Sequence, residues 1–148
     1  MIMLCVNKYP KSYIEDCHQR INQQLTTFRQ LASAAQKADG IPGKELSRAL
    51  ATFETSFFNN LVLAMDRSFN HRSRTLELKD GNPLNEVRVL CDSILETGGR
   101  MTTDSTIKMK PENSVLKFKV GDEIKISVSA FAKLSEAFFA DMHKKFAI

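Results

Sequence analysis

Arg67 and His71 stand four residues apart in an apolar-periodic stretch, a spacing that sets a guanidinium and an imidazole on one side of a helix. A cation beside an imidazole is the minimum kit of a metal-free ribonuclease. The ring moves protons, and the cation stabilises charge on a phosphate. Arg72, Arg74 and Lys79 follow, so residues 67–79 hold four Lys or Arg side chains against one acid, Glu77. Together Arg67, His71, Arg72, Arg74 and Lys79 form a candidate nucleic-acid-binding patch for a phosphate backbone. The same charges have a plainer use, because cations at a helix C-terminus offset its partial negative charge. On sequence grounds the plainer use is the stronger reading.

Other chemistry finds less support. His18, His71 and His143 fall on three different predicted helices with no His-x-x-x-His pair, so no metal site and no cofactor are expected. A ligand- or metal-binding bundle built across helices stays open as a third reading. Cys5, Cys17 and Cys91 are odd in number and lack a C-x-x-C pair, which fits free thiols in a reducing compartment. Cys91 falls on an apolar stripe and reads as a core thiol. There is no G-x-S-x-G elbow, and Gly98-Gly99 lacks the Gly-Lys-Ser/Thr that completes a phosphate loop.

The elements that would carry these residues are mostly helical. Ser12 and Glu15 have capping-box spacing, and Ile14, Cys17, Ile21, Phe28, Leu31 and Ala35 make one helical face as far as Asp39-Gly40. A second helix is expected from about Lys44 to Arg72. It carries one stripe of Leu46, Leu50, Phe53, Phe57, Leu61 and Ala64, and an adjacent one of Phe58, Val62, Met65 and Phe69. Two stripes predict that this helix is the most central, with Phe57 in the core. Asn82-Pro83 opens a third helix that runs to Gly98-Gly99. Apolar residues then alternate with lysines, predicting a β-hairpin with arms near 115–120 and 123–127 around Gly121-Asp122, and a further strand at 106–110. A last helix begins near Ser129, with Phe131, Leu134, Phe138, Met142 and Phe146 inward. The expected fold is mainly α: an antiparallel four-helix bundle over residues 1–148 as a single domain, with a small β-hairpin between helices three and four.

Composition agrees. The 148 residues are 43% apolar and 26% charged, with a net charge of +4 and ten Phe but no Trp. Those are ordinary values for a folded globular chain, mildly basic rather than nucleic-acid-like. The apolar opening Met1–Val6 is too short for a signal-peptide core, and no apolar run reaches the ~18 residues of a membrane span. A cytoplasmic protein with no membrane contact is expected.

From about residue 86 to 139 the run NEVRVLCDSILETGGRMTTDSTIKMK, the turn VGDEIKIS and the closing FAKLSEAFF resemble the C-terminal half of HEPN-superfamily helical domains. The chain is also similar to bacterial proteins without an assigned role. In HEPN domains a helix carries an Arg-Asn-x-x-x-His-Asn-x-Gly-like signature, followed by a Val-Gly-Asp hairpin and a closing helix. They act as ribonucleases or as non-catalytic RNA- and protein-binding modules, often dimeric. Laid on that signature, Cys91 takes the place of the Arg, Asp92 that of the Asn and Glu96 that of the His, and only the glycine matches. A carboxylate in that place repels RNA rather than stabilising charge on it. The resemblance therefore implies a HEPN-like interaction module without ribonuclease activity, a homo-oligomer that binds a protein partner or RNA. The alternatives are a metal-independent ribonuclease using Arg67 and His71, or the ligand-binding bundle.

Overall fold

The computed structural model describes residues 5–148; the apolar opening residues before Cys5 lie outside it. Among the described residues five α-helices carry the fold: α1 Lys11–Lys37, α2 Gly40–Arg67, α3 Arg74–Glu77, α4 Pro83–Glu96 and α5 Val128–Phe146. α1, α2, α4 and α5 close into a four-helix ring in chain order, each packed on the next. α3 is a single turn at the base, against α5. No helix is long and apolar enough to cross a membrane among the described residues.

The expected capping box does not form. α1 starts at Lys11, directly after Pro10, and no side chain caps it. Pro10 already sets the turn, so Ser12 is drawn inside the helix. α2 starts four residues earlier than the apolar pattern indicated. Gly40, at φ +73°, turns the chain, and a Cβ on Gly43 would sit 2.3 Å from the Ala38 carbonyl oxygen. Only glycine lets the two helices approach so closely at the turn. The Asn82 cap is as expected: its side chain accepts from the Asn85 amide at 3.0 Å, with Pro83 in the first turn.

The core lies between the second stripe of α2 and the inner face of α5. Phe58, Val62, Met65 and Phe69 are buried, and so are Phe131, Leu134, Phe138, Phe139, Met142 and Phe146. Phe58 meets Phe131 and Phe28 with ring centroids 5.3 and 4.9 Å apart. α5, with buried side chains along its whole length, packs on α1, α2, α3 and α4, so it and not α2 takes the central place. The expected first stripe of α2 is half out of the core: Leu46 and Phe53 are exposed, and Leu50 and Phe57 only half-buried.

The reason is a difference in length. α5 begins level with Glu54, whose Oε2 accepts the Val128 amide at 2.9 Å. α4 runs antiparallel to α2, with the Leu84 carbonyl near Arg72 and Cys91 near Val62, and stops at Glu96. The first half of α2 and the last turns of α1 therefore extend past both partners as a two-helix arm.

No β-hairpin is present among the described residues. The segment 121–124 pairs with 99–101 and not with 115–120: the Met101 amide donates to the Asp122 carbonyl, Gly121 to Met101 and Ile124 to Gly99, each at 2.8 Å. The other presumed arm cannot offer a ladder. The amides of Val115 and Leu116 donate to the buried carboxylate of Glu86, at 2.7 and 2.9 Å, and Lys117 takes φ +60°. Residues 106–110 form no strand either; Lys108 only donates to the Lys79 carbonyl. Residues 5–10 strap the base of the bundle, since Val6 bonds on both sides to His71 and Ser73, and Tyr9 to Phe146 and Ile148.

Candidate functional site

Arg72, expected at the surface, is buried. Its Nε donates to Glu77 Oε1 at 2.6 Å, one terminal nitrogen to Asp66 at 2.7 Å and the other to the Leu84 carbonyl at 3.2 Å. Its guanidinium also lies over the Phe138 ring, 5.8 Å from the centroid. Burial pulls its pKa down, but the charges of Asp66 and Glu77 outweigh that and hold it above the usual arginine value. Arg88 completes the set, donating to both oxygens of Glu77. Lys145 joins through the Glu77 carbonyl and Asp141. Three cations and three carboxylates thus cancel where α2, α3, α4 and α5 meet. This closed network locks the helix ends together, and Arg72 is not available to a phosphate.

The remaining patch residues are scattered. Arg67 ends α2, while His71 lies beyond it in the turn held by the Val6 strap, so the two do not share a helix face. The strap takes the His71 carbonyl and the Ser73 amide into its own pairing, and that draws the chain off the helix axis. Arg74 is half-exposed and sits 3.8 Å from Asp104. Lys79 is exposed. Among the described residues Arg67, His71 and Lys79 make no ion pair.

One groove does unite two expectations. Arg67 and Cys91 line it, between α2 and α4, with Leu63, Asp66, Asn70 and Leu95. It holds no acid–base pair. Burial pushes the Cys91 thiol far above its ordinary pKa, with Asp66 adding to the effect, so the sulfur stays protonated. Asp66 is committed to Arg72, and no imidazole lines the groove. Asp92 beside it is raised first by burial and then by Glu96, one turn on.

His18 serves packing. Glu15-x-x-His18 has the spacing of a helical metal pair, a signal the sequence reading passes over. Yet His18 stacks on Phe139 at 4.3 Å and bonds to Glu136 at 2.9 Å, tying α1 to α5. Among the described residues no three of the His, Cys, Asp and Glu side chains are placed to hold a metal ion.

The arm is the feature that chemistry-seeking motifs did not point to. On its outer side Leu46 is 42% and Phe53 48% exposed, and Leu31 of α1 is 44% exposed. Phe53 stacks on Phe57 at 5.2 Å, and Phe57 on Phe28 at 6.0 Å, so the exposed ring is rooted in the core. None of these stripe positions is charged: on this half of α2 the charges Lys44, Glu45, Arg48 and Glu54 fall beside or between them, and residues 21–36 of α1 contain only Arg29. That pattern was readable in the sequence. Compared with known proteins, the chain matches no family model, no curated protein and no solved structure.

Proposed function

We propose that the chain is a helical interaction module without nuclease activity, and that the outer face of the α1–α2 arm is its docking surface. The observation that carries this is the half-exposed, uncharged stripe Leu46, Leu50, Phe53 and Phe57, aromatic at two of its four positions, on the outer side of the arm. Solvated helices keep charges on their outer faces, whereas the centres of interfaces lose charge and gain aromatics. The position of His71 beyond the end of α2, off the face that holds Arg67, supports the non-catalytic half of the reading.

A photo-crosslinking residue at Ala49, exposed between Leu46 and Phe53, tests the docking face in cells that express the full chain. Adducts from position 49, with none from the exposed control position Lys119, are expected. No adduct at position 49 retires the surface. For the other half, purified protein without metal is expected to leave single-stranded RNA intact. Cleavage that vanishes in His71→Ala would instead establish a ribonuclease.

A further inference from the structure

Resting on that reading of the arm, we infer that its occupant is a second copy of the same chain, joined antiparallel about a two-fold axis between Leu50 and Phe53. The stripe on α2 runs Leu46, Leu50, Phe53, Phe57, with spacings of four, three and four. That order reads the same in both directions, so a two-fold axis at its centre superimposes stripe on stripe. It also pairs unlike sizes: Leu46 of one copy meets Phe57 of the other, and Leu50 meets Phe53. Each layer of the interface then holds one aliphatic and one aromatic side chain. This is the alternation of small and large that fills a helix–helix seam. Self-complementarity of one patch is what a two-fold interface demands.

Charge agrees with this register. None of Lys44, Glu45, Arg48 or Glu54 falls opposite a charged residue of α2, since their counterparts are Asn59, Phe58, Thr55 and Ala49. Glu54 is in any case occupied in capping α5. The stripe itself offers no charge to a strongly acidic or basic partner, and in this register its flanking charges meet their own copy without like-charge repulsion. Architecture gives a further reason. The arm is half of a four-helix bundle, and a second arm supplies the two missing helices.

Sedimentation velocity on the purified full-length protein provides the test, with Ala49→Glu and Phe53→Glu beside wild type. Wild type is expected to sediment as a dimer at micromolar concentration. Ala49 is exposed, so its replacement spares the fold and places a carboxylate in the seam. Both variants should weaken dimerisation by roughly a hundredfold or more, with unchanged helical circular dichroism. A wild-type monomer overturns the inference. So does a wild-type dimer that neither substitution weakens, because the copies would then join elsewhere. The two readings separate in the crosslinking experiment. An adduct at position 49 of a mass other than twice the chain sinks the second copy but keeps the docking face, and no adduct sinks both.

Discussion

A buried side chain that looks like a ligand in sequence can be a structural tie, and Arg72 is such a case. Its neighbours in the chain, Arg67, Arg74 and Lys79, invite a surface reading, but the partners that draw it inside include Glu77 five residues on and Asp66 six before. Nothing in a linear charge count separates a cation facing solvent from one enclosed by acids on either flank. Removing one member of a buried pair leaves the other uncompensated. Glu77→Gln is therefore expected to cost roughly 3–5 kcal/mol of stability by urea unfolding. A cost near zero would show the network to be loose. Glu86 gives a pH signature. Burial raises its pKa above the ordinary glutamate value despite two backbone amides that lower it. Between those two values the folded protein keeps a proton that the unfolded chain has released. Stability from this group is full below that window and falls as pH rises through it. Urea midpoints from about pH 4 to about pH 7 should show this decline in wild type and lack it in Glu86→Gln. The glutamine variant should also be weaker by roughly 1–3 kcal/mol, because one of the two amides loses its acceptor. Thiol chemistry follows burial too: Cys5 is exposed while Cys17 and Cys91 are buried. A thiol-titrating reagent is expected to react promptly with one sulfur in the native protein and with three after denaturation.

Helices were more legible than anything else, and for a physical reason. A 3.6-residue period reports which side is buried whatever partner buries it, so α1, α4 and α5 emerge near their true limits. Alternation reports less. Ile124 and Ile126 do point inward, yet their backbone partners lie at 99–101 and not in the neighbouring segment. Period two says that one face is buried, not which strand lies beside it. For the two α2 stripes, periodicity gave equal weight where the lengths of α4 and α5 decide. The expected ranking of core residues changes accordingly. Phe58→Ala should cost roughly 3–5 kcal/mol, and Phe57→Ala in the monomer about 1 kcal/mol. Equal losses in thermal melts would return the first stripe to the core. At the α1–α2 turn, Gly43→Ala forces a methyl against the Ala38 carbonyl, and a clear fall in melting temperature is expected.

At the scale of the whole molecule, the class of fold was within reach of the sequence and the surface was not. Interfaces are read from what exposed positions lack, and exposure is unknown until the helices have lengths and neighbours. The hub position of α5 carries one more consequence, in time rather than in space. α5 follows the other four helices in the chain, so during synthesis α1, α2 and α4 emerge before the helix that covers Phe58 and Phe69 exists. The Val6 and Tyr9 strap reaches across nearly the full sequence to residues 146–148, and such distant pairings form late. Until then the nascent chain shows two apolar stripes on α2, one awaiting α5 and the other the surface of the finished arm. A ribosome-held chain stopped before Val128 is thus expected to stay protease-sensitive along α2, and to gain protection in a single step once α5 has cleared the exit tunnel. Stepwise protection as each helix emerged would show that the arm folds on its own, before the core that roots it.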